Sequence, residues 1–89
     1  MDFEIHGIVE LFEGNAAWHY IRVPREISQM LFGTEKGMFP IIATVGQSSW
    51  KTSLLPMGDG SHFIALKRSI REAEKIALGQ KIHVTFEPQ

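Results

Sequence analysis

The stretch His19-Tyr-Ile-Arg-Val-Pro-Arg-Glu-Ile27 can be laid over His62-Phe-Ile-Ala-Leu-Lys-Arg-Ser-Ile70, 43 positions further on. The histidines, the first isoleucines, Arg25 with Arg68, and Ile27 with Ile70 coincide; Tyr20 meets Phe63 and Val23 meets Leu66. Each copy then runs through a helical segment to a glycine (Gly37 or Gly79) and a last strand, with one residue inserted in the first copy. Internal similarity constrains a fold more than any single motif does. Neither half, residues 1–46 or 47–89, is large enough to bury a core alone. Two halves packed together can close their sheets and remove exposed edges. The repeat therefore predicts one domain over residues 1–89, with its halves related by a pseudo-twofold axis.

Local patterning fills in the elements. Phe3, Ile5, Gly7, Val9 and Leu11 alternate with Glu4, His6, Ile8 and Glu10, the period of a half-buried strand. Glu13-Gly14-Asn15 is a turn signal, and a second strand is expected from Ala17 to Val23. Pro24 suits the first turn of a helix, and Ile27, Met30 and Leu31 recur at helical spacing over Arg25–Phe32, with Gly33 placed as a cap. After a loop at Glu35-Lys36-Gly37, a third strand is expected over Met38–Val45. A turn at Gly46-Gln47-Ser48 leads to a fourth over Ser49–Leu55 and a fifth over His62–Leu66. Ser69 with Glu72 reads as a capping box for a helix striped by Ile70, Ala73, Ile76 and Ala77 and closed by Gly79. Lys81–Glu87 is the sixth strand, with Ile82, Val84 and Phe86 on one face.

Composition narrows the function classes. The 89 residues are 44% hydrophobic and 21% charged, ordinary globular values. A net charge of −1 lacks the basic surplus of a dedicated nucleic-acid binder, so nucleic acid is disfavoured as a partner. There is no cysteine, which excludes a disulfide scaffold and a thiol nucleophile. The acidic N-terminus does not read as a signal peptide, and no apolar run approaches the length of a membrane span. A cytoplasmic protein is expected.

The run Trp18-His-Tyr-Ile-Arg-Val-Pro24 resembles the W-x-Y-I-x-V/L-P signature of a prokaryotic domain-of-unknown-function family, number nineteen-oh-five. Trp50-Lys-Thr-Ser-Leu-Leu-Pro56, Leu66-Lys67 through Arg71 to Glu74, and Gly79 extend the resemblance over nearly the whole chain. It implies a double-split β-barrel, the fold of AbrB-like and MazE-like regulators and antitoxins, where two chains each supply one half. Those proteins usually carry Pro at the position of Lys67 and often Asp at that of Gln80. The resemblance implies no activity.

Candidate sites follow from residue chemistry. His6, His19, His62 and His83 fall in strands without metal-ligand spacing, so no metal, catalytic site or cofactor is expected; His19 and His62 could meet only across the pseudo-twofold axis. No serine sits in a nucleophile elbow, and Gly58-Asp59-Gly60 reads as a turn rather than a phosphate loop. Lys67, Arg68, Arg71 and Lys75 form a basic cluster that could contact an anion or nucleic acid. Trp18, Tyr20 and Trp50 are a heavy aromatic load, and with His62 and Arg71 as polar groups they could line a ligand groove.

The sequence thus predicts an all-β, six-stranded double-split barrel with two short helices. Its leading functional reading is a non-catalytic binding domain for a small ligand or a protein partner, acting through the Trp18/Trp50 side. The alternative is an AbrB-like DNA-binding regulator or antitoxin, and a hydrolase-type enzyme comes third. A barrel closed by its own two halves is expected to be a monomer or a weak homodimer.

Overall fold

Period-two hydrophobic patterning makes strands here because each strand can bury one face. In a computed structural model, which describes residues 2–12, 18–32 and 38–89, those strands form one seven-stranded antiparallel sheet curled into a nearly closed barrel. The order along the chain is β1 (Phe3–Ile8), β2 (Glu10–Leu11), β3 (His19–Val23), α1 (Arg25–Phe32), β4 (Phe39–Val45), β5 (Ser48–Pro56), β6 (His62–Ala65), α2 (Arg68–Glu74) and β7 (Lys81–Pro88). Around the sheet the order is β1-β7-β4-β5-β6-β3-β2. The all-β class with two short helices agrees with the sequence. The turn at Glu13-Gly14-Asn15, the start of the second strand at Ala17, the cap at Gly33 and the loop at Glu35-Lys36-Gly37 lie outside the described residues.

The sequence predicts six strands and the described residues form seven, because the first is interrupted at Val9. Up to Ile8↔Lys81 the chain pairs with β7; from Glu10↔Tyr20 onward it pairs with β3. Between them the Val9 N–H donates to Gln80 O and Val9 O accepts from the Gly79 N–H, both at 2.9 Å. Val9 thus changes the strand's neighbour, and its side chain is buried as it does so. This one strand pairs with β7 on one side and β3 on the other, which brings the sheet round on itself.

The core is the inner face of that barrel. Ile21, Val23, Ile41, Leu54, Ile64 and Val84 are wholly buried there, with Ile5, Trp50, Ile82 and Phe86 around them. Full burial of such side chains contributes about 1.5–3 kcal/mol each. Gly7 faces Ile21 so closely that a Cβ would stand 3.0 Å from its Cγ1, which explains a glycine inside a strand. The β4–β5 hairpin closes in two residues, with Gly46 at φ 57 in the first central position, the pattern of a type II′ turn. The Ser48 hydroxyl donates to Glu74 at 2.6 Å and ties that hairpin to α2.

α1 begins and ends where the sequence places it. Pro24 lies just before it, with Pro24 O accepting from the Ile27 and Ser28 N–H groups. α2 differs. Lys67, not Ser69, holds the N-cap position, and it makes no side-chain cap bond, so the Ser69–Glu72 capping box does not form. Lys75 turns left-handed at φ 54 and stops the helix at Glu74, leaving Ile76 and Ala77 beyond it. Ile76 is buried all the same. The apolar periodicity marked burial and not helix continuation.

Candidate functional site

The aromatic residues divide between core and surface. Trp50 is 6% exposed and packed into the core. It is not a groove wall: on β5 it stands opposite Ala43, and its alternation phase points it inward. Tyr20 is 5% exposed; its ring stacks on Phe12 at 4.0 Å, and its hydroxyl donates to Glu10 Oε1 at 3.3 Å. Phe63 meets Phe12 edge-on at 4.9 Å and Tyr20 at 5.5 Å. Phe12 therefore caps the face on which the sequence predicts a groove. His62 is also no groove residue. It is wholly buried, with Nδ1 2.9 Å from Ser28 Oγ and its ring 5.8 Å from Phe39.

Trp18 behaves differently, at 48% exposure. It stands just before β3, held by the 2.9 Å bond from the Phe12 N–H to its carbonyl. β3 pairs with β6 through Tyr20↔Ala65, Ile21↔Ile64, Arg22↔Phe63 and Val23↔His62, and the Leu66 N–H extends that ladder to His19 O at 2.9 Å. The pairing sets Trp18 and His19 against the turn from β6 into α2. A cleft of about 320 Å³ opens there, lined among the described residues by Trp18, His19, Ala65 and Leu66 together with Lys67, Arg68 and Arg71.

Two candidate sets that the sequence keeps separate thus meet. Trp18 from the aromatic set shares one cleft with Lys67, Arg68 and Arg71 from the basic set. Arg71 belongs to both. Its Nε donates to Leu66 O at 2.9 Å, which fixes the guanidinium at the cleft and leaves its two terminal nitrogens without partners among the described residues. Arg68 is paired with Glu72 at 2.9 Å on the open surface. Lys67 is exposed and has no ion pair among the described residues. Lys75, at the far end of α2, is not part of the lining.

Sequence reasoning missed His19 as a site residue. Its Nδ1 is buried and makes no hydrogen bond among the described residues. Only the strand pairing could have shown this, because His19 and His62 look alike in sequence. The other histidines meet on the outer face of β1 and β7, where His6 and His83 are register partners with rings stacked at 4.4 Å; Glu4 lies 3.7 Å from His83 Nε2. Among the described residues no group of three or more His, Asp or Glu could hold a metal ion, and no helix is long and apolar enough to cross a membrane.

Asp59, in the loop between β5 and β6, is held below its ordinary 3.8 chiefly because the Ser61 hydroxyl donates to its carboxylate, at 2.5 Å, and the Ser61 N–H adds a second bond at 3.0 Å. The Asp59 carboxylate of the Gly58-Asp59-Gly60 turn is therefore taken up by the donors of the following Ser61. The Arg22 guanidinium is pushed above its ordinary value, first of all by its hydrogen bond to Glu10.

Fold and cleft together describe a small β-barrel module with an aromatic and cationic opening at one end. Residues 6–86 match the family model described as "Domain of unknown function (DUF1905)", and the chain belongs to that family. No curated protein matches it.

Proposed function

We propose that the chain is a non-catalytic binding domain whose ligand is a small anion, held in the cleft between Trp18 and the Lys67–Arg71 segment. The observation that carries this reading is the convergence of a half-exposed indole with three cationic side chains on one cavity, with no carboxylate in the lining among the described residues. Small-ligand sites combine apolar walls with a few convergent polar groups, and about 320 Å³ is at the small end of their range. An unpaired guanidinium in such a place recognises a carboxylate or phosphate through two parallel hydrogen bonds. Among the described residues the lining has His19 but no hydroxyl or thiol nucleophile, which favours binding over hydrolysis.

The same reading takes residues 1–46 and 47–89 as pseudo-twofold copies in a double-split arrangement, as in AbrB-like halves. Its support is register. Tyr20↔Ala65 is mirrored by Arg22↔Phe63 about Ile21↔Ile64, and β1 with β7 is answered by β4 with β5. A barrel that closes within one chain leaves a monomer as the expected state.

Isothermal titration at low salt tests the binding role, with inorganic phosphate, citrate and phosphorylated or carboxylated aromatic compounds as probes. The wild-type chain should bind at least one class, and Trp18→Ala and Arg71→Ala should each weaken it about tenfold, the loss of one good contact. No heat with any probe, or equal binding by Trp18→Ala, contradicts the proposal.

A further inference from the structure

We infer that the cleft takes a mononucleotide unit, its phosphate between Lys67 and Arg71 and its base on the Trp18 indole. This rests on the anion-binding role proposed above and names the ligand's chemistry.

The charge count selects the phosphate. Of the three cations in the lining, Arg68 already has Glu72 as a partner, whereas Lys67 and the terminal nitrogens of Arg71 have none among the described residues. Two uncommitted positive groups match a phosphate monoester, which carries between one and a half and two negative charges near neutral pH. A single carboxylate would leave one of them unneutralised. Arg71 is also held for the purpose: the bond from its Nε to Leu66 O orients the guanidinium before any ligand arrives.

The exposed indole in the same lining selects the planar group. Trp18 is 48% exposed while Trp50, Tyr20 and Phe63 are all below 9%, so of these four rings the one left uncovered is the ring at the cleft. Stacking of a base on such a ring is worth about tenfold or more in affinity and tolerates any base. His19 also lines the cleft, and its Nδ1 lies buried just beneath the surface with no hydrogen-bond partner among the described residues. A cavity of about 320 Å³ has room for one nucleotide and not for several. The net charge of −1 works against a long polyanion, so a free mononucleotide is the expected form and a strand end the other source of the same unit.

Calorimetry on the full chain with five probes decides: AMP, adenosine, ribose 5-phosphate, inorganic phosphate, and a 5′-phosphorylated single-stranded oligothymidylate ten nucleotides long. AMP should bind about tenfold or more tightly than adenosine and than ribose 5-phosphate, since each lacks one of the two contacts. Trp18→Ala should cost AMP that advantage over ribose 5-phosphate, and Lys67→Ala should cost it the advantage over adenosine. Lys67 is exposed, so that variant keeps the test alive should Arg71→Ala fail to fold. AMP binding no tighter than inorganic phosphate overturns the nucleotide assignment and leaves anion binding standing. Silence with every probe overturns both. Tighter binding of the oligonucleotide than of AMP supports the nucleotide chemistry and assigns the unit to a strand.

Discussion

His62 and His19 mark the two ends of the β3–β6 ladder, and their surroundings differ sharply. His62 is wholly buried, with its Nδ1 satisfied by Ser28 of α1 and the ring of Phe39 against it. His19 has a buried Nδ1 without a partner among the described residues, and it opens onto a cleft. The residue that stands to His19 as Ser28 stands to His62, 43 positions further on, is Arg71. A serine is short enough to plug its end of the barrel. An arginine is too long and too strongly charged to do so, and its guanidinium goes instead to Leu66 O and the cleft. Where Phe39 covers the sealed end, the corresponding position after α2 is the exposed Lys81. On the proposed reading of the halves as copies, one scaffold makes a plug at one end and an opening at the other through the side chains that the helices and following strands present.

The comparison can be broken first with the tryptophans. Trp50→Ala empties a core position and should cost about 3–5 kcal/mol in urea unfolding. Trp18→Ala removes a half-exposed ring and should stay within about 0.5 kcal/mol of wild type. Equal losses would make Trp18 a core residue and remove the cleft's aromatic wall. The histidines give the next largest contrast. His62→Ala leaves a cavity and strips a buried serine of its partner, for a cost of about 2–4 kcal/mol, whereas His19→Ala should cost under about 1 kcal/mol.

Asp59 gives the smallest effect and belongs to the sealed side, where its carbonyl accepts from Arg25 at the start of α1. Its folded-state ionisation lies below 3.8, so the stability it contributes is present above that value and is lost as pH falls through the lower, folded value. Unfolding of Asp59→Asn should therefore show a shallower loss of stability below about pH 4 than wild type, with little change near neutral pH. Identical acid profiles would show that the Ser61 bonds to the carboxylate do not act on stability.

Much of the fold is legible in the sequence for reasons that are local. α1 is readable because Pro24 sits at its start and Ile27 and Leu31 share its buried side. β7 is readable because Ile82, Val84 and Phe86 keep strict alternation. The break at Val9 is not, since only the geometry of closure requires one strand to change partners. Nor is the fate of the aromatics. Alternation puts Trp18 and Tyr20 on one face of a strand, but what covers that face is decided by Phe12, whose position depends on long-range pairing. The cleft is half legible: Lys67, Arg68 and Arg71 stand out as a cluster, and Trp18 as an aromatic. Only the bond from the Leu66 N–H to His19 O, across 47 residues of chain, brings the two sets together.

The central claim is that the Trp18–Arg71 end binds and the Ser28–His62 end does not. The most direct test is the amide and indole NMR spectrum of the full chain, titrated with AMP at low salt. Saturable shifts at the Trp18 indole and from Leu66 to Arg71, with Ser28, Phe39 and His62 unmoved, are the predicted result. Shifts centred on the Ser28–His62 end, or spread evenly over the barrel, would contradict it.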